Sequence, residues 1–344
     1  MKRENIALTL LGLQLLPQYA YAESNEYEEA GNKDDLNILI FDDRNDETYQ
    51  YGANQNTFEL DFDNLIKEPL VYQKLQDYYP EKGFSSKEEA MVFYRKLFSL
   101  IREYGCGYTS AADYIFRYFE GREEEFENIF GYPMYYKDEK GNINFNYELF
   151  VIDFFNYYSL KKNNMTTENM KSYLLSDYYE KEFLEYASSE EYNRKMPKDF
   201  EKWSEEDWVK WYEFDNMRKA KWQDLYIKYN SCVHKNINFA IPLENRFGEI
   251  ESFLSLYGLD IDVEYYPYYE ECNIDDIIVS DNFTLYKETK KGLRYMFRKN
   301  LKSHYMYVCG FTSDGRIIVS TWGEKYILDN SHSKYDSKLV LKIK

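Results

Sequence analysis

Between Lys87 and Glu103 apolar side chains return at spacings of three and four, through Ala90, Phe93, Leu97, Leu100 and Ile101. That period predicts an amphipathic helix. Ser85-Ser86-Lys87-Glu88 supplies its start signal, a hydroxyl residue ahead of an acidic first turn. A second helix is predicted after Tyr104-Gly105-Cys106-Gly107, with Ala111, Ile115, Phe116 and Phe119 on one face and Gly121 as its stop. A third runs from Ser204 to Tyr229, where Trp208, Trp211, Met217, Trp222 and Leu225 form a stripe that reads as core. Ser204-Glu205-Glu206 suits the positive end of the helix dipole. The last hundred residues alternate instead. His304–Phe311, Arg316–Trp322 and Lys325–Leu328 predict strands, the first two joined by an Asp314-Gly315 hairpin turn. Helices followed by an antiparallel sheet make an α+β chain.

The flanks of this pattern set the expected organisation. Lys2 and Arg3, the apolar run Ile6–Leu16, Pro17 and the small-x-small triplet Ala20-Tyr21-Ala22 read as a signal peptide over residues 1–22. Export to the cell surface or medium is therefore expected. The run is too short to span a bilayer, and no second long apolar segment follows, so no membrane anchor is expected. Residues 23–84 read as an acidic N-terminal arm, with Leu36–Phe41 as a possible short strand. Residues 85–344 read as one domain. Within it, residues 122–245 are acidic, rich in Tyr and helical in period.

Composition narrows the partners. The 344 residues carry a net charge of −18. Binding a phosphate backbone means neutralising it, so nucleic acid is not expected, and anionic membrane surfaces are disfavoured on the same ground. The 38 Tyr and 23 Phe can cover a surface with rings whose hydroxyls stay wet, although drift toward A and T in a genome enriches Tyr in the same way. The four cysteines, Cys106, Cys232, Cys272 and Cys309, form no C-x-x-C pair, and no His-Glu-x-x-His, EF-hand spacing or phosphate-cradling glycine loop occurs. No metal and no cofactor is expected. The pairing of Cys232 and Cys272, and the oligomeric state, stay open.

Chemistry centres on one thiol. Cys106 stands between two glycines at a predicted helix start, where partial positive charge favours the thiolate and the Cys106 N–H can face a developing oxyanion. A thiolate needs an imidazole neighbour. Of three histidines, His234 and His332 read as surface residues, while His304 opens a strand at the rim of the sheet.

Tyr104-Gly-Cys-Gly-Tyr-Thr-Ser-Ala-Ala112 resembles the nucleophile helix of papain-like bacterial cysteine peptidases, in particular the group related to bacteriocin-processing peptidases. His304-Tyr-Met-Tyr-Val-Cys-Gly-Phe311 resembles their histidine strand. Val319-Ser-Thr-Trp-Gly323 resembles the Asn-Ser-Trp-Gly element that follows it. The resemblance covers about 85–122 and 270–330. It implies a papain-like fold, with a nucleophile helix packed on a C-terminal antiparallel sheet and residues 122–245 as a large helical insertion. It implies Cys106 as nucleophile, His304 as base, Ser320 as the residue that orients the imidazole, and Trp322 as a shield over that contact. The substrate would be a peptide or protein.

Three departures keep a second function open. Ser320 replaces the family's Asn or Asp and adds no charge. The Gln that donates to the oxyanion hole, six residues before the Cys in the family, is here Leu100; Tyr104 nearby, and Gln55, Gln73 or Gln76 from farther away, are candidates, but none has the spacing. Losing such a donor costs about 3 kcal/mol in barrier. And 198 residues separate Cys106 from His304. The chain reads either as an exported cysteine hydrolase working through an acyl-enzyme, or as a non-catalytic secreted binding protein on a degenerate papain-like scaffold.

Overall fold

The computed structural model describes residues 52–137, 143–162, 164–232, 246–267, 271–289, 292–312, 315–328 and 337–344, with Gly141 and Phe239. The expected signal peptide, the Leu36–Phe41 strand, His234 and His332 lie outside the described residues. Helices come first and an antiparallel sheet last, as the change of period predicts.

The predicted helices form close to their sequence bounds. Helix α4 spans Lys87–Tyr104, and Ser86 caps it by accepting the Glu89 N–H. Helix α5 spans Cys106–Tyr118. Helix α11 spans Glu205–Asn230 and begins with a capping box in which Ser204 and Asp207 exchange hydrogen bonds. Three short helices precede them: α1 (Thr57–Leu60), α2 (Phe62–Leu65) and α3 (Pro69–Tyr78). They were expected to belong to a loose arm. Instead Phe58, Phe62, Val71, Leu75 and Tyr79 are buried in the main core, so residues 53–79 belong to the folded body.

The stretch expected as an insertion divides in two. Helix α6 (Glu123–Phe130), the two-stranded β1 (Tyr135–Lys137) and β2 (Ile143–Phe145), and helix α7 (Tyr147–Tyr157) belong to the body. Helix α7 is apolar on every side and buried from Leu149 to Tyr157, as a central helix must be. Of its two carboxylates, Glu148 lies in the first turn, and Asp153 is held by Lys74 Nζ at 2.8 Å and by the hydroxyls of Tyr257 and Tyr78 at 3.0 and 3.1 Å. The remainder, α8 (Thr167–Leu174), α9 (Ser176–Ser188), α10 (Glu190–Asn193) and α11, ends in a helical arm. No residue of α11 is buried. Its tryptophans pack half-exposed on neighbouring rings, Trp222 against Phe183 and Tyr226, and Trp208 and Trp211 against Trp203. The stripe is thus a half-exposed ladder, with Trp222 against α9 and Trp208 and Trp211 against the segment just before α11, rather than an enclosed core.

After α12 (Arg246–Ser255) come β3 (Ile261–Tyr266), β4 (Ile277–Thr289), β5 (Gly292–Phe311), β6 (Ile317–Thr321), β7 (Glu324–Leu328) and β8 (Ser337–Ile343). The sheet order is β3-β8-β4-β5-β6-β7, all antiparallel. Strand β4 also pairs with β7, Leu285 opposite Leu328, so the sheet curls back on itself. Two bulges in the β4–β5 pairing, where β5 carries extra residues opposite Ser280–Asn282 and Leu285–Tyr286, permit that bend. The curl creates two cores. Tyr305, Tyr307, Cys309 and Ile318 face the helices, while Met306, Val308, Val319, Phe283 and Leu285 fill the inside of the curl. Successive residues of β5 therefore enter different cores, as strand alternation requires.

Among the described residues, no helix is long and apolar enough to cross a membrane. None of the four cysteines is joined in a disulfide.

Candidate functional site

Helices α4 and α5 meet almost end to end at Gly105, whose backbone is near-helical (φ −75°, ψ −12°). A Cβ at this position would lie 2.1 Å from the Ile101 carbonyl oxygen, so only glycine allows the junction. Cys106 is the first residue of α5 and is half-buried against the helix-side core. The Thr109 hydroxyl donates to its carbonyl at 3.0 Å. Because the carbonyl end of α4 abuts this terminus, the negative pole of one helix offsets the positive pole of the other. The field expected to favour a thiolate is correspondingly reduced.

Gln55 was a candidate donor with the wrong spacing in sequence. The fold brings it to the junction. Its side chain packs on Gly105, 3.2 Å from the position a Cβ would take, and its Nε2 donates to the Arg102 carbonyl at 3.0 Å. Arg102 is four residues before Cys106, so an uninterrupted helix would offer that carbonyl to the Cys106 N–H. Gln73 and Gln76 are elsewhere: Gln73 bonds Asp77, and Gln76 bonds Tyr94.

Ser320 faces α5. Its hydroxyl donates to Asp113 Oδ2 at 3.2 Å, and Asp113 Oδ1 accepts the Ala53 N–H at 2.6 Å. Gly52 is in the left-handed region (φ +88°), and a Cβ there would lie 2.1 Å from the Ser320 hydroxyl. Ser320 and Asp113 thus clasp the Gly52–Ala53 segment to the sheet. Burial pushes the Asp113 carboxyl up to about 8, and the Ala53 and Ser320 donors only partly oppose that rise.

His304 lies on the other side of the sheet. It pairs with Ser280 in β4, while Tyr305, the next residue, faces the helices. The imidazole is sandwiched between Phe283 and Trp322, with ring centroids at 5.2 and 4.7 Å, and its Nε2 is 2.8 Å from the Thr321 hydroxyl. Only 5% of the residue is exposed, and burial lowers its pKa to about 3. A neutral ring is the only form this setting supports. Trp322 and Gly323 form the two-residue turn between β6 and β7, both with positive φ (+51° and +73°). Left-handed geometry at a tryptophan costs about 1–2 kcal/mol. Stacking on His304 holds it in place.

The structure therefore does not assemble Cys106, His304 and Ser320 as one group. Ser320 and His304 point into different cores, so the orienting contact expected from Ser320 is made by Thr321, one residue later. Cys106 is on the helix side, and the polar partner of His304 is Thr321. Trp322 does cover the imidazole. The physical reason is strand parity: a shift of one residue exchanges the two faces. His304 was expected to open its strand at the rim of the sheet; β5 instead begins at Gly292, so His304 lies inside the strand, and sequence spacing could not say which side it takes. The alternation of Tyr305 and Tyr307 against Met306 and Val308 offered no contrast of polarity to decide it.

Compared with protein-family models, with curated proteins and with solved structures, the chain gives no match. The site is read from its geometry alone.

Proposed function

We propose that this chain is an exported, non-catalytic binding protein built on a degenerate papain-like scaffold. One observation carries the reading: the imidazole that would activate Cys106 is a neutral ring sealed between Phe283 and Trp322 in the other core. A neutral imidazole enclosed in the other core is not placed to take a proton from a thiol on the helix side. The surface available for binding is the helical arm, where α11 exposes Val209, Tyr212, Met217 and Ile227. Aromatic and aliphatic exposure of this kind suits a protein or peptide partner.

The test is thiol reactivity. Cys106 in the folded chain should alkylate at pH 6 no faster than an unperturbed thiol, and an activity-based thiol probe should not label it. Fast labelling at pH 6 that is lost in Cys106→Ala would overturn the reading.

A second reading, the cysteine hydrolase, is favoured by two observations. Gln55 reaches the Cys106 end of α5 as an oxyanion donor would. A bulge sits beside His304, between the pairs Ser280–His304 and Asn282–Asn300, and bulges re-aim side chains next to active sites. In that reading β5 shifts by one residue and turns His304 toward α5. Peptide or amide hydrolysis would follow through a thiolate–imidazolium pair, and the same alkylation experiment separates the two functions.

A further inference from the structure

Helix α11 carries a second stripe, on the side away from its tryptophan ladder. Val209, Tyr212, Asn216, Ala220, Gln223 and Ile227 are all exposed. At about 100° per residue they fall within about 80° of one another around the helix axis, over a length of about 27 Å. None of the six is charged, and between Val209 and Ile227 no charged residue enters that sector, although the 26-residue helix holds eleven charged side chains. A solvated face has no reason to exclude charge; the centre of a contact face does.

The charges beside the stripe identify what covers it. Residues 205–215 carry five acids against Lys210, and residues 216–230 carry four bases against Asp224. An antiparallel neighbour of the same sequence lays each half on its opposite. The match holds position by position when two copies of α11 cross at Met217. Glu206 then comes level with Lys228 of the other copy, Lys210 with Asp224, Glu213 with Lys221, and Asp215 with Lys219. No charged residue comes level with one of its own sign. Within one copy Lys210 pairs with Glu206 at 2.7 Å, and Lys228 with Asp224 at 3.5 Å. Set side by side in opposite order, these two pairs form a network of four alternating charges, which holds better than isolated surface pairs. Along the stripe, Val209 falls within one turn of Ile227 of the other copy, and Asn216 within one turn of its own counterpart. An amide pair at the centre of a helix contact fixes its register. Acids early and bases late also suit the dipole of α11 itself. The dipole acts only on the first and last turns, however, and accounts for neither the uncharged stripe nor the matched order of charges.

We propose that α11 is a homodimerisation element whose exposed stripe is covered by α11 of a second copy, in an antiparallel, two-fold symmetric contact; this rests on the reading of the helical arm as the binding surface and is independent of whether Cys106 is reactive. A helix about 39 Å long and about 10 Å across offers less than the about 800 Å² per partner of a standard interface, so the dissociation constant is expected to be on the order of micromolar.

Sedimentation velocity of the full chain in reducing buffer tests this. The chain should pass from monomer to dimer between about 1 μM and about 0.5 mM. V209E/I227E, at positions 51% and 57% exposed, should stay monomeric throughout, with an unchanged circular dichroism spectrum. In low salt E206K/E213K should weaken the dimer about tenfold or more, and adding K221E/K228E to the same chain should restore it. On oxidation N216C should link to itself above the wild-type background, whereas V209C should not, because its counterpart is about 24 Å away. A chain that is monomeric at about 0.5 mM, a dimer that V209E/I227E leaves intact, or one in which V209C links to itself overturns the proposal. A monomer whose Cys106 still alkylates slowly would refute this partner while leaving the non-catalytic reading in place.

Discussion

The two faces of the sheet at β5 and β6 carry polar residues one position apart, and they treat them oppositely. On the helix side, Asp113 is buried with two donors, Ala53 N–H and Ser320, and its carboxyl is pushed up to about 8. Inside the curl, His304 is buried with one polar partner and two stacked rings, and its pKa is pushed down to about 3. Both groups are driven toward neutrality by the same desolvation, which raises an acid and lowers a base. Each is met by neutral partners, the Ala53 N–H and Ser320 in one case and Thr321 in the other. The comparison shows one curled sheet closing two cores around polar residues and driving an acid and a base to neutrality by the same means.

The largest expected effect that sharpens this comparison comes from His304→Ala. Removing a ring packed between Phe283 and Trp322 and leaving Thr321 without its partner should destabilise the fold by about 3–4 kcal/mol, read by denaturant unfolding. The alkylation rate of Cys106 in the folded fraction should not change. A slowed Cys106 reaction would mean that the two faces communicate and would favour the hydrolase.

Next comes Gly52→Ala. The added methyl group meets the Ser320 hydroxyl, and alanine disfavours the left-handed backbone, so a loss of about 3 kcal/mol is expected. Proteolytic cleavage near Ala53 should become faster, since this change releases the clasp on the helix side alone.

The two faces should also differ in the sign of their pH dependence. The folded state holds a proton on Asp113 between its ordinary value of 3.8 and about 8, so that contribution to stability is lost as pH rises through this window. The folded state refuses a proton on His304 between 6.5 and about 3, so that contribution is lost as pH falls. Below pH 6.5 the two oppose each other; between 6.5 and 8 only Asp113 acts. The limiting slope is about 1.4 kcal/mol per pH unit for one proton, giving up to about 2 kcal/mol across that interval. Asp113→Asn, whose amide can accept from Ala53 and donate to Ser320, should flatten the unfolding free energy between pH 6.5 and 8. An unchanged slope in this variant would assign the titration to another group.

The smallest effect is expected for Ser320→Ala, about 1 kcal/mol for one hydrogen bond lost at a buried carboxyl. The loss should appear with no shift in the acid limb set by His304. Were Ser320 to orient the imidazole, that limb would move.

Much of the architecture is legible in the residues. The helices around Ala90–Ile101 and Ala111–Phe119 and the capped start at Ser204 follow from local periodicity and capping chemistry. So does the turn before Arg316, where Gly315 takes a positive φ of +84°. These features depend on neighbours within a few positions. The burial of Phe58, Phe62 and Leu75 was hidden by the acidic and polar residues around them. The central place of α7 was hidden because a helix apolar on all sides has no stripe to read. The Trp residues of α11 form a regular stripe, but nothing in the stripe tells whether a body or only another helix lies against it.

The residues alone determined an α+β chain with a glycine-flanked cysteine at a helix junction and a histidine at the level of a sheet strand, because propensity, period and turn chemistry are local. Tertiary structure alone decided that Gln55 reaches the Arg102 carbonyl, that Ser320 turns to Asp113, and that His304 enters the second core. Those outcomes rest on strand parity and on the curl imposed by the β4–β7 pairing, and both are set by contacts between residues far apart in the chain.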